Sequence, residues 1–151
     1  MKQTFHIVNS VLIALFICIS SCAKEGKSEG KAEVSEPGKN CVEILYFHGD
    51  MRCKNCYAME KGVSELLDAK FKDEVKEGKI VFKTIDITTP EGEQIADNYG
   101  VTWSSLYLNN WKDGKEERND LTRMGMKTAA KNPNAFKEEV SKLIANYLGQ
   151  K

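Results

Sequence analysis

The feature that most constrains this chain is the pair Cys53 and Cys56, which stands between a predicted strand and a predicted helix. Residues 42–47 are mostly β-branched, aliphatic or aromatic, which is typical of a half-buried or fully buried strand. Gly49-Asp50 then interrupts the apolar run. From Cys56 to Phe71 the apolar residues recur every three or four positions, which predicts a helix with one buried face. Both cysteines are therefore predicted to lie in the first turn of a helix that packs on a sheet.

This placement favours thiol–disulfide chemistry. Cysteines three positions apart lie on the same side of a helix, so their sulfurs can form a disulfide. Unpaired N–H groups and the positive end of the helix dipole stabilise a thiolate there, and Arg52 and Lys54 add positive charge beside Cys53. Since the thiolate is the attacking species, we predict a lowered pKa and a nucleophilic role for Cys53. Cys56, one turn further in, is predicted to be more buried and to act as the resolving thiol.

Other roles for the two cysteines remain open. A structural disulfide is one alternative, and half of a zinc site is another, although the chain has neither a second Cys-x-x-Cys nor two closely spaced histidines for zinc. A metal site could also use Cys53, Cys56 and His48, with Met51 as a further soft ligand. His48 is otherwise an ordinary histidine at the end of a strand. A third hypothesis is a redox-sensitive domain that binds a partner without catalysis.

The N-terminal segment predicts export. An apolar run over residues 7–19 has the length of a secretory signal and is too short for a comfortable membrane span of about 20 residues. The sequence Ile19-Ser20-Ser21-Cys22 resembles the signal of bacterial lipoproteins, and this resemblance implies cleavage before Cys22 and a lipid on that cysteine. An uncleaved anchor helix is the alternative. Both interpretations place the rest of the protein in the cell envelope, outside the cytoplasm and held at a membrane.

The predicted organisation has three parts. Residues 1–21 form the signal peptide, residues 22–40 the lipidated Cys22 with a flexible Gly-, Ser-, Lys- and Glu-rich linker, and residues 41–151 one folded domain. The chain has 22 basic and 22 acidic residues, and this balance gives no support for nucleic-acid binding. Cys41 would lie about 20 Å from the motif along an extended strand. We therefore expect it to be a small buried residue and not a resolving thiol.

Further elements follow along the chain. A strand is predicted over residues 79–87, and Thr88-Thr89-Pro90 is predicted to begin a helix that ends at Gly100. Then follow a predicted strand (105–109), a turn (110–114), an edge strand (115–121) and a final helix that begins at Asn132-Pro133; residues 122–131 give no clear prediction. The order implies an α/β fold in which helices cover both faces of a mixed sheet of about four strands.

Residues 41–149 resemble the thioredoxin-like superfamily. The resemblance depends on the strand that leads into Cys53-Lys54-Asn55-Cys56, the long helix after it, the strand that bears Asp86, and Tyr99-Gly100-Val101 before the next strand. It implies a three-layer fold and a thiol–disulfide oxidoreductase with no organic cofactor, whose partners are protein thiols or disulfides and another redox protein. It also implies that Trp103, Ser104 and Ser105 belong to a loop opposite the cysteines.

The sequence departs from the pattern of that superfamily at the cysteine motif and in the opposing loop, among other places. Arg52 replaces the usual Trp before the motif, and Lys54-Asn55 replaces Gly-Pro. The proline that the superfamily keeps in the opposing loop is absent, and its position falls on Ser105 or close to it. A hydroxyl there would lie near Cys53, and the loss of the proline would open the site to a metal ion or an iron–sulfur cluster. Trp103 is expected either to contact substrate or to pack in the core.

Overall fold

The computed structural model describes residues 40–150. The signal peptide, the lipidation of Cys22 and all but the last residue of the linker lie outside the described residues and stay predictions. The elements are β1 (Cys41–His48), α1 (Lys54–Lys70), α2 (Lys72–Lys76), β2 (Ile80–Asp86), α3 (Pro90–Tyr99), β3 (Ser105–Lys112), β4 (Lys115–Asp120), α4 (Thr122–Thr128) and α5 (Pro133–Tyr147). None of these helices is long and apolar enough to cross a membrane.

The strands form one mixed sheet in the order β2-β1-β3-β4. β1 is parallel to β2, so the chain returns through α1 and α2 before it enters β2. β3 runs antiparallel to β1 and forms a hairpin with β4. In this register Phe47 lies opposite Ile85 on one side and Ser105 on the other. The end of β1, from which the chain leads into the cysteine motif, is therefore next to the start of β3.

Helices cover both faces of the sheet and create two cores. Ile44 and Tyr46 of β1 pack with residues of α1 and α5, such as Met59 and Phe136. Leu45 and Phe47 face the opposite way and pack with Ala96 of α3. Because successive strand residues point to opposite faces, a strand buried on both sides is an unbroken apolar run. This arrangement confirms the predicted fold class, an α/β thioredoxin-like fold with a four-stranded mixed sheet.

The predicted boundaries of α3 are confirmed. The Thr89 side chain accepts a hydrogen bond from the Gly92 N–H at 3.1 Å, and Pro90 is the first helical residue. Gly100 ends the helix with a φ of 64°, a left-handed conformation that costs glycine little.

The β3–β4 hairpin differs from the prediction. β3 continues to Lys112 instead of ending at Asn109, because Asn110 and Trp111 still pair with β1 on one side and β4 on the other. The turn is therefore only Asp113-Gly114, with φ values of 52° and 74°, a tight connection between antiparallel strands. Residues 122–128, which gave no clear prediction, form α4.

Candidate active site

The two cysteines form a disulfide at the start of α1, with their Cα atoms 5.0 Å apart. Cys53 is the extended N-cap residue, and its Sγ accepts a hydrogen bond from the Cys56 N–H at 3.1 Å. Cys53 is exposed to solvent, whereas Cys56 is only 4% exposed. A partner can therefore reach the first sulfur more easily than the second. The nucleophilic and resolving roles themselves stay predictions.

The helix start also provides the electrostatic setting that a reactive thiol needs. The Cys56 N–H that points at Cys53 Sγ belongs to the first turn, where backbone donors have no partner within the helix. These donors and the helix dipole would stabilise negative charge on Cys53 once the disulfide is reduced. Lys54, the first helical residue, is exposed beside it.

Tyr46 of β1 connects the sheet to the cysteine motif. Its buried hydroxyl donates a 2.9 Å hydrogen bond to the backbone carbonyl of Cys56. Burial raises the pKa of Tyr46, although hydrogen bonds from Arg52 and Ser104 act in the opposite direction. The phenol is therefore a neutral donor that fixes the first turn of α1 to β1.

Arg52 lies between aromatic rings and forms an ion pair. Its guanidinium donates to the Tyr46 hydroxyl at 3.4 Å and pairs with the Glu60 carboxylate. The same group lies 5.3 Å from the ring centroid of Tyr46 and 4.4 Å from that of Tyr57. Burial acts to lower the pKa of Arg52, but the hydrogen bonds to Glu60 and Tyr46 outweigh it and raise that pKa. Whether Arg52 and Lys54 lower the pKa of Cys53 stays a prediction.

The opposing loop comes near the motif at Tyr46. Ser104 is buried, and its side chain acts to lower the pKa of the Tyr46 hydroxyl that holds Cys56. Ser105, which was predicted to lie at or close to the position of the missing proline, is the first residue of β3; it is also buried, and its hydroxyl donates to the Trp103 carbonyl at 3.1 Å. Trp103 is 57% exposed, so it does not pack in the core. A contact between Trp103 and substrate stays a prediction.

His48 and Cys41 lie at opposite ends of β1. The His48 Nδ1 is 3.2 Å from the Gly49 carbonyl, and its ring stacks 6.0 Å from that of Tyr46. Within residues 40–150, no three side chains of His, Cys, Asp or Glu come together as a metal site. Cys41 is buried, at 7% exposure, as expected.

Tyr46 and Glu60, which both contact Arg52, were not predicted from the sequence as residues of the site. Glu60 had a weak signal, because positions 53, 57 and 60 follow the helical spacing and so share one stripe of α1. Tyr46 had none beyond its place in a buried strand. Its role depends on a hydroxyl that reaches a backbone carbonyl ten residues away, which a pattern of apolar residues does not reveal.

No family model and no curated protein matches this chain. Solved thioredoxin structures are similar to it, among them one from Thermus thermophilus at 23% identity and a TM-score of 0.47, over 68% of this chain and 73% of that one. Fasciola hepatica thioredoxin is 20% identical with a TM-score of 0.45, over 72% and 83% of the two chains. Thioredoxin O2 from Arabidopsis thaliana, in the oxidized state, is 14% identical with a TM-score of 0.45, over 70% and 76%.

These similarities are too distant to indicate an activity. The sheet order, the helices on both faces and the position of the disulfide describe the fold and the site without them. A Cys-x-x-Cys disulfide at the start of a helix in a thioredoxin-like fold suggests a thiol–disulfide redox role.

Proposed function

We propose that this protein is an exported, membrane-anchored thiol–disulfide oxidoreductase in which Cys53 is the nucleophile and Cys56 the resolving thiol. The observation that carries the proposal is the disulfide at the start of α1, with an exposed first sulfur and a buried second one. The substrates are protein disulfides or thiols, and a second dithiol protein supplies or removes the electrons.

In the reducing direction the reaction has two exchanges. The Cys53 thiolate bonds to one sulfur of a substrate disulfide, the substrate S–S bond breaks, and the leaving sulfur takes up a proton. Cys56 then loses its proton and attacks the Cys53 sulfur, so the bond to substrate breaks and the second substrate thiol is released. In total, two electrons pass to the substrate while the Cys53–Cys56 disulfide forms; of the two protons that the substrate sulfurs take up, one is released by Cys56 and the other comes from the solvent. Oxidation of a substrate is the reverse.

The first test is the reduction potential of the pair, measured by equilibration with glutathione on metal-free protein. A value near about −270 mV would indicate a reductant similar in potential to thioredoxin, and one near about −120 mV a strong oxidant. Failure to form a reversible disulfide would contradict the proposed function.

Three cysteine variants test the two roles. Cys56→Ser should accumulate a mixed disulfide with a substrate protein, because the resolving thiol is missing. Cys53→Ser should form none. Cys41→Ser is the matched control. It makes the same substitution at the start of β1, the end of the strand away from the motif, and should leave the exchange intact. A mixed disulfide that forms equally well without Cys53 would refute the assignment of Cys53 as the nucleophile.

Membrane anchoring is proposed from the sequence Ile19-Ser20-Ser21-Cys22 alone. Cys22→Ser should abolish labelling with a fatty acid, because the variant has no sulfur at that position to carry the lipid. Labelling that persists in this variant would argue against a lipid on Cys22.

A further inference from the structure

The Arg52–Glu60 ion pair is held in place by three elements around the cysteine motif. The side chains of Arg52 and Glu60 are 14% and 30% exposed. The arginine lies against Tyr46 of β1 and Tyr57 of α1. The Thr84 hydroxyl of β2 lies 3.5 Å from the second oxygen of Glu60 and is oriented to donate to it. The pair is therefore more buried, and has more contacts, than an ordinary surface salt bridge.

This pair lies close to the place where a thiolate would form. Arg52 immediately precedes Cys53 in the chain. Its guanidinium is 3.4 Å from the Tyr46 hydroxyl, which is 2.9 Å from the Cys56 carbonyl. The Tyr46 hydroxyl thus contacts both the Arg52 guanidinium and the backbone of the first turn of α1.

The Glu60 carboxylate weakens the attraction between the Arg52 guanidinium and a Cys53 thiolate. A lone guanidinium beside the motif would stabilise a Cys53 thiolate by direct attraction. With Glu60 paired to it, the thiolate interacts with both a positive and a negative charge, and most of the attraction is cancelled. We propose that Glu60 tunes the redox pair by neutralising Arg52, which keeps Cys53–Cys56 a weaker oxidant than an unpaired arginine would make it. This inference rests on the proposed function.

The direction follows from the charge of the two redox states. A thiolate exists only in the reduced form, because the disulfide sulfurs carry no charge. Any group that stabilises the thiolate therefore stabilises the reduced form and makes the pair a stronger oxidant. Glu60 acts against that stabilisation, so it shifts the pair toward reducing potentials. Glu60 is a positioning residue: it holds Arg52, and its negative charge offsets the positive charge of the guanidinium near the sulfurs.

The experiment compares charge variants of the full chain by equilibration with glutathione. Glu60→Gln keeps the size of the side chain and can still hydrogen-bond, but it leaves Arg52 uncompensated. We expect the equilibrium to shift toward the dithiol by about three- to tenfold, which is about 15–30 mV less negative. Arg52→Gln should shift it in the opposite direction. The double variant should lie close to the wild type, because both charges are gone.

Glu65→Gln is the matched control. Glu65 lies on the same helix and forms ion pairs with Lys61 and Lys137. It is twelve residues beyond Cys53, about 18 Å along the helix axis. Glu65→Gln changes the net charge of the protein by the same amount as Glu60→Gln. If only charge near the motif matters, its equilibrium should stay within about twofold of the wild type.

The outcomes separate this inference from the proposed function. A wild-type protein without a reversible disulfide overturns both. A wild type that cycles normally, with Glu60→Gln within twofold of it or shifted toward the disulfide, overturns the inference alone, even if that variant melts at a lower temperature. If Glu60→Gln does not fold, Arg52→Gln and the double variant decide the matter, because their expected shifts differ.

Discussion

At the scale of single residues, Tyr46 connects the fold to the site. It is fully buried in the core under α1, yet its hydroxyl donates to the Cys56 carbonyl. Since the carbonyl is in the first turn, this bond fixes the end of the helix that bears the redox pair. A residue can thus belong to the core and also position the site.

We expect Tyr46→Phe to lower the free energy of unfolding by about 0.5–1.5 kcal/mol, because it removes one buried hydrogen bond between β1 and the first turn of α1. Urea denaturation of the oxidised protein measures this change. Tyr57→Phe is the matched control: its ring is 55% exposed, so loss of that hydroxyl should change the stability by less than about 0.5 kcal/mol. Equal effects of the two variants would contradict a structural role for the buried hydroxyl.

At the scale of elements, the turn between β2 and α3 shows how local chemistry fixes a helix start. The Asp86 carboxylate accepts hydrogen bonds from the Thr88 N–H at 2.9 Å and from the Thr88 hydroxyl at 2.7 Å. The Asp86 carbonyl accepts another from the Thr89 hydroxyl at 2.9 Å. The Thr-Thr-Pro sequence predicted this helix start correctly, because caps and proline act through neighbouring residues.

This turn makes part of the stability depend on pH. The backbone N–H of Thr88, followed by its hydroxyl, lowers the pKa of Asp86 from its usual 3.8. A lowered folded-state pKa means that the stabilisation is present above the unfolded-state pKa and is lost as pH falls through the folded-state pKa. We therefore expect Asp86→Asn to be less stable than the wild type at pH 6. The difference should shrink as pH falls below about 4.

Urea denaturation at several pH values measures this difference. Thr88→Val is the companion variant, since it removes the hydroxyl donor and should weaken the pH dependence while keeping the carboxylate. A difference between Asp86→Asn and the wild type that stays constant from pH 6 to pH 3 would mean that the charge of Asp86 does not stabilise the turn.

At the scale of the whole molecule, the sequence predicted the fold better than the site. Val42 to Phe47 predicted β1 because burial on both faces leaves an apolar run, and the spacing from Cys56 to Phe71 predicted α1. The predicted end of β3 was wrong, because strand pairing overrides the turn preference of Asn110. The Arg52–Glu60 contact could not be predicted, because it needs the relative positions of a loop and a helix face.

The two cores lead to a prediction about the size of the folding unit. Among the described residues 40–150, both cores pack on the two faces of one sheet. A chain that begins at Asn40 should therefore unfold in one cooperative thermal transition and still form the Cys53–Cys56 disulfide reversibly. Calorimetry and equilibration with glutathione measure the two properties, with the full chain as the control. If the shortened chain showed no cooperative transition, the residues before position 40 would belong to the folded domain, and the predicted boundary of the linker would be wrong.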